Sequence, residues 1–237
     1  MSKKTMVILV LGVLLILGMI VSVQEEKSKY RKVMETAIYI DDNTTLDESL
    51  EGKFVILSGT PKMSKGAYDP DFDIQFDYPV VYRSAWVLYD TGTGAKHETE
   101  WQTTYRSEKN IYGQTNLCGE AKIGAYTIGG DVMKYVFETR TKDIVTEEMA
   151  VHTGWVYCDH WKWSARYLLS KPLTYENDIQ NWLDRGMMRV GFSAKEDIGL
   201  PCTVFGYLQN GQIISTEEYE EKYQLGIMDK EEFLNKY

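Results

Sequence analysis

The stretch VVYRSAWVLYDTGTG, residues 80–94, opens with β-branched and aromatic side chains and closes on Asp90-Thr91-Gly92-Thr93-Gly94. Its reading decides the fold. One reading makes Asp90 the catalytic carboxylate of an aspartic peptidase; the other makes residues 90–94 the bend after a strand. An aspartic peptidase needs two carboxylates that share one proton, and this chain carries a single Asp-Thr-Gly, followed by Thr93 where that loop takes Ser or Ala. Thr127-Ile128-Gly129 matches the apolar segment beneath such a loop only loosely. The bend reading asks less: Asp90, Gly92 and Gly94 supply a four- or five-residue hairpin loop towards the next strand-like run, HETEWQTTY, residues 97–105. The same glycines lack the third glycine and the following helix of a phosphate cradle.

Outward from this hairpin the chain continues in the same manner. KFVILSG (53–59), FDIQF (72–76), EAKIGAY (120–126) and RVGFSA (189–194) read as strands between Gly, Pro and Asp turns. TVFGYLQNGQII (203–214) reads as a hairpin, because Asn210-Gly211 provides the two positive-φ residues of a type I′ turn. In VHTGWVYCDHWKWSARYLL (151–169) the Trp and Tyr density suits a strand pair. GGDVMKYVFETRT (129–141) changes to helical spacing, with Val132, Val136 and Phe137 on one side. The tail carries two capping signals, Ser215 with Glu218 and Asp229 with Glu232, which predict two short helices broken near Gly226. The expected class is a strand-dominated α+β fold: an antiparallel, β-rich domain with one or two packed helices and a short helical tail.

The composition fits that class. Of 237 residues 43% are apolar and 13% aromatic, with 17 Tyr, enough for a packed core. A formal charge of −9 repels nucleic acid and gives no support to a polybasic membrane contact. Cys118, Cys158 and Cys202 are widely spaced and contain no C-x-x-C pair, so they leave the redox compartment open.

Met6 to Val23 is uncharged over 18 residues and as a helix would span about 27 Å, close to the hydrocarbon core of a bilayer. Val21-Ser22-Val23 is a poor small-x-small cleavage site, which favours an uncleaved membrane anchor. Lys27, Lys29, Arg31 and Lys32 after the segment outnumber Lys3 and Lys4 before it, which argues for a cytoplasmic domain. The very short basic leader resembles a signal anchor instead, and long domains are translocated largely regardless of charge. The expectation is a single-pass protein whose large domain is extracytoplasmic. EEKSKYRKVMETA after the anchor reads as a solvated helical stalk.

Candidate chemistry is sparse. His152, Cys158 and His160 fall within nine residues, and Cys158 and His160, two apart on a strand, could face one metal. No second pair with ligand spacing accompanies them, so a half-buried aromatic strand is the simpler reading. No G-x-S-x-G, H-E-x-x-H or complete glycine-rich nucleotide loop occurs, and no cofactor is implied. Trp155, Trp161 and Trp163 could form a sugar- or peptide-binding face, although core packing is the commoner use of such residues.

Four stretches together resemble the LUMA family, transmembrane protein 43 and its bacterial relatives. These are GKFVILSG, FDIQFDYPVVYRSAWVLYD, EAKIGAYTI and RGMMRVGFSAKEDIGLPCTVFGYLQNG, in the family's order from about Thr45 to about Ser215. Arg83-Ser84-Ala85-Trp86 lacks the acidic-aromatic-Gln-Trp character usual after the family's Arg, and Asp184-Arg185-Gly186 only approximates its Gly-Asp. The charged tail stands where the family usually has further membrane helices. The resemblance implies a membrane protein with a non-cytoplasmic hydrophilic domain that acts in envelope organisation and protein association, and it brings no catalytic residues.

The expected division is a membrane anchor at 1–24, a helical stalk at 25–44, a LUMA-like β-rich domain at 45–215 and a charged helical tail at 216–237. The expected function is non-catalytic, with the membrane and protein partners engaged and nucleic acid excluded. The rivals are an extracytoplasmic hydrolase built on Asp90 and a sensor that binds glycan or lipid through an aromatic face.

Overall fold

The structure is a computed structural model that describes residues 29–90, 99–102, 111, 113–160, 165–170 and 188–237. These form a strand-dominated α+β fold. In chain order come α1 (29–36), β1 (Ile38–Asp41), β2 (Phe54–Gly59), β3 (Lys62–Lys65), β4 (Tyr68–Asp69), β5 (Ile74–Gln75), β6 (Val80–Asp90) and β7 (Thr99–Gln102). They are followed by β8 (Gly113–Cys118), β9 (Glu120–Ile123), β10 (Tyr126–Ile128), α2 (Met133–Val136), β11 (Thr141–Asp143), α3 (Glu147–Thr153) and β12 (Val156–His160). The chain ends in β13 (Ala165–Leu169), β14 (Met188–Lys195), β15 (Cys202–Gln209), β16 (Gln212–Ile214), β17 (Lys222–Leu225) and α4 (Lys230–Leu234). The described residues fall into two compact units, one drawn from those within 29–60, 123–126 and 201–237, the other from those within 61–122 and 127–200.

The expected membrane helix, Met6 to Val23, lies outside the described residues, as do Trp161, Trp163 and the Asp184-Arg185-Gly186 stretch. Among the described residues no helix is long and apolar enough to cross a membrane.

In the first unit β15 is the central strand. One edge pairs antiparallel with β2, from Cys202 opposite Gly59 to Tyr207 opposite Phe54, and the other edge is shared by β17 and β16. β1 adds to β2 in parallel. The β15–β16 hairpin turns at Asn210 and Gly211, with φ of 54° and 70°, as the Asn-Gly pair predicts. The Glu51 carboxylate accepts both of their backbone N–H groups.

The polar segment after the apolar run is more than a solvated stalk. α1 buries Tyr30 and Met34 against Ile56, Phe205 and Phe233. Lys230 Nζ donates to the carbonyls of Glu35 and Ala37, which satisfies acceptors left open at the end of α1. The tail is corrected in part. Asp229 caps α4 by accepting from the Glu232 N–H, as its spacing predicts. Ser215 starts no helix, because its hydroxyl accepts from the Glu221 N–H and the Thr216 hydroxyl from Tyr219, closing a tight turn that delivers residues 222–225 to the free edge of β15. A strand edge with unmet hydrogen bonds outweighs the weak preference of a short charged helix.

The second unit is built on a seven-stranded sheet in the order β12-β13-β14-β6-β7, with β8 also on β6 and β11 also on β14. Its strand pairs are antiparallel. β12 and β13 realise the strand pair expected from the aromatic run, although α3 had no sequence expectation. Of the helical spacing expected over 129–141 only Met133–Val136 is α-helix, after a 3-10 turn at Gly130–Val132; Val132, Val136 and Phe137 are buried, and Thr141 already starts β11. EAKIGAY is two strands rather than one, interrupted where Gly124 takes a φ of 58°. FDIQF contributes only Ile74–Gln75 as strand, while Phe72, Ile74 and Phe76 are buried in the core under the sheet.

That core lies on one face of β6 and β14. Val81, Ala85 and Val87 meet Val190, Phe192 and Ala194 there, beneath Val145, Ala150 and Trp155. Arg83 points the same way. Its Nη1 donates to both oxygens of Asp69 at 2.7 and 2.9 Å, and lies 2.6 Å from Asp71 Oδ2. This cluster holds the loop that carries β4 and β5 on the inner face of β6.

Candidate functional site

The opposite face of β6 carries Tyr82, Ser84 and Trp86, because alternate strand residues emerge on opposite sides. All three are half-buried. Register sets their neighbours. Ser84 faces Gly191 of β14 and Gln114 of β8; Tyr82 faces Ser193 and Asn116; Trp86 faces Arg189. Ser193 in turn faces Asp143 of β11. Residues directly opposite in an antiparallel pair share a face, so this surface alternates aromatic rings with hydroxyl and amide groups.

A cavity of about 150 Å³ opens here, lined by Tyr82, Ser84, Trp86, Tyr167, Gly191 and Ser193, with Asp143 and Arg166 at its margin. It exists for a topological reason. β13 pairs with β14 only through Leu168 and Leu169, and β11 pairs with it only through Thr141–Asp143 opposite Ser193–Lys195. Gly191 lies between these two attachments. The missing side chain matters, because a Cβ at Gly191 would stand 3.2 Å from Cδ1 and Cε1 of the Tyr167 ring and 3.6 Å from Cζ3 of Trp86.

One wall is stiffened by stacked groups. The Arg189 guanidinium lies 4.8 Å from the Trp86 ring centre and 5.0 Å from that of Tyr167, and the two rings meet edge to face at 5.7 Å. Burial lowers the Arg189 pKa, and Tyr167 opposes that shift. At the other end α2 covers the sheet, and Lys195 Nζ donates to the carbonyls of Lys134 and Phe137. Burial pushes the Tyr82 phenol upward, with Cys118 adding to the shift and Lys134 opposing it, so at neutral pH Tyr82 is an uncharged hydrogen-bonding group.

The charged residues at the margin are already engaged. Asp143 accepts from the backbone N–H of Val145 at 3.1 Å and of Arg166 at 2.6 Å. The Arg166 guanidinium lies 3.7 Å from Asp159.

The residues singled out from sequence lie elsewhere. Asp90 ends β6 opposite Thr99 of β7, and the turn residues Thr91 to Gly94 lie outside the described residues. His152 sits on α3, its Nε2 2.8 Å from the Asp73 carbonyl. Cys158 and His160 lie on β12, opposite Tyr167 and Ala165. Among the described residues no group of three His, Cys, Asp or Glu side chains is placed to hold a metal. Trp155 belongs to the core, its ring 5.1 Å from Phe72. Among the described residues an aromatic face is formed by Trp86, Tyr82 and Tyr167; the sequence signal for the first two was the spacing Tyr82-x-Ser84-x-Trp86 within a strand. Compared with family models, curated proteins and solved structures, the chain gives no match.

The cysteines differ in reactivity. Burial pushes the Cys202 thiol up to about 12, and Cys158 is raised by burial and then by Asp159, whereas Cys118 is only half-buried. The thiolate is the reactive form. At pH 8 a thiol-alkylating reagent should therefore modify native Cys118 well before Cys202, with Cys202 reacting only on unfolding; mass spectrometry of timed digests reads the order. The folded chain keeps the Cys202 proton that the unfolded chain sheds at about 9. This contribution to stability is fully present below pH 9 and is lost as pH rises towards 12.

Proposed function

We propose that this chain is a membrane-tethered, extracytoplasmic and non-catalytic recognition protein, and that it captures its ligand in the aromatic cavity on the outer face of β6 and β14. The observation that carries this reading is the cavity over Gly191, with Trp86 and Tyr167 as walls and Ser84 and Ser193 as hydrogen-bonding floor. Its described lining contains no His, Cys or Lys, and its one carboxylate, Asp143, is committed to backbone donors. That set suits binding better than turnover, which calls for a nucleophile or base within reach of a partner. The apolar run Met6 to Val23 supports the tether, and the resemblance to the LUMA family supports a role in association at the envelope.

Thermal unfolding in the presence of a chemically mixed panel tests the reading. The panel holds neutral and anionic sugars, amino acids, short peptides and soluble lipid headgroups. A ligand at about 100 times its Kd adds about 2.7 kcal/mol to stability. At least one class should raise the Tm of the wild type and leave Gly191→Val, which fills the cavity, unmoved. A panel with no effect, or the same effect on both proteins, overturns the reading.

A further inference from the structure

We infer that the ligand is a neutral oligosaccharide, laid along β6 from Trp86 to Tyr82; this inference rests on the recognition reading above. The first argument is size. A cavity of about 150 Å³ is smaller than the roughly 300–1,000 Å³ of sites that enclose a whole cofactor or drug-sized molecule. It seats one ring of something longer, and the remainder has to run along the half-buried row from Trp86 to Tyr82, as far as the edge of α2. Tyr82 and Trp86 are four residues apart on one strand, which separates them by about 13 Å, the scale of successive contacts along a chain of sugar rings rather than of one ring held twice.

The second argument is chemical. The apolar C–H face of a pyranose packs on an aromatic ring, while its edge presents hydroxyl groups that both donate and accept. The face between Trp86 and Tyr82 offers that pair of surfaces: two rings, and between and beside them Ser84, Ser193, Gln114 and Asn116, which also both donate and accept. Gln114 and Asn116 are exposed. The rows through Ser84 and Tyr82 therefore each end in an amide.

The third argument is charge. Arg189 is spread between two rings, Arg166 lies beside Asp159, and Asp143 holds backbone donors. The one cation of the described lining, Arg166, has the exposed Asp159 carboxylate 3.7 Å away to offset its charge, and a chain at −9 repels polyanions. An uncharged ligand rich in hydroxyl groups meets this surface without stranding a charge.

Isothermal titration of the full chain in detergent tests the proposal. The probes are hexasaccharides of β-1,4-linked glucose, α-1,4-linked glucose and β-1,4-linked N-acetylglucosamine, each beside its disaccharide. At least one hexasaccharide should bind at least about tenfold more tightly than its disaccharide. Trp86→Ala and Tyr82→Phe/Asn116→Ala should each weaken it by at least about tenfold, the scale of an anchoring residue, with far-ultraviolet circular dichroism unchanged. Arg140→Ala, on an exposed side chain outside the cavity lining, should bind as the wild type does. If no hexasaccharide binds, or disaccharide and hexasaccharide bind equally, the oligosaccharide track is overturned. A peptide or lipid headgroup that stabilises the wild type but not Gly191→Val would at the same time leave the recognition reading standing.

Discussion

Replacing Arg83 by methionine is expected to lower the unfolding free energy by about 3–5 kcal/mol, the cost of breaking a buried ion pair from one side. Asp69 is fully buried and Arg83 is 6% exposed. Both Asp69 oxygens accept from Arg83, and only Oδ1 has a second donor, the Asp71 N–H. Methionine has similar bulk and can continue to pack beside Phe72, so the loss isolates the charge and not the volume. Asp69→Asn in the same chain should recover much of the loss, because the remaining buried group is then neutral. Urea unfolding with a double-mutant cycle provides the numbers. A loss below about 1 kcal/mol for Arg83→Met, in the range of an exposed pair, would mean that water reaches this cluster and that the loop bearing β4 and β5 is held by its apolar side chains alone.

The second large effect lies in the other unit. Phe233→Ala should destabilise by about 3–5 kcal/mol, although Phe233 belongs to a helix of only five residues near the end of a charged tail. The ring is fully buried among Tyr30, Met34, Ala37, Ile56 and Phe205, so truncation leaves a cavity that residues of α1, β2 and β15, together with Ala37, would have to close. Hydrogen exchange offers a sharper readout than a global Tm. Amides of α1, β2 and the paired part of β15 should exchange faster in the variant. Unchanged protection there would show that α4 is an appendage and that the core of this unit closes without it.

Both predictions depend on residues that look ordinary in sequence. Arg83 reads as one polar position in an aromatic strand, and only the inward phase of β6, shared with Val81 and Ala85, turns it into a buried cation. Phe233 reads, with Leu234, as one of two adjacent apolar residues in a short charged segment.

What the sequence determined by itself is local. β-branched and aromatic runs set β2, β6 and β14; Asn210-Gly211 set the β15–β16 turn; Asp229 set the start of α4; and the spacing of Val132 and Val136 set α2. Each of these follows from dihedral preference, side-chain period or a cap, which act within a few residues. The net charge of −9 likewise needs no fold to be read. The tertiary structure alone decided which strand edges met. It paired Lys222–Leu225 with β15 in place of a helix after Ser215, and placed Trp86 beside Arg189 at 103 positions' remove. It also brought Tyr167 over Gly191, where the absence of a side chain lets that ring pack against the strand as one wall of the cavity. Pairing of this kind is set by unmet backbone hydrogen bonds and by burial of one face across distant segments, and a one-residue slip in register would have turned Tyr82 and Trp86 into the core.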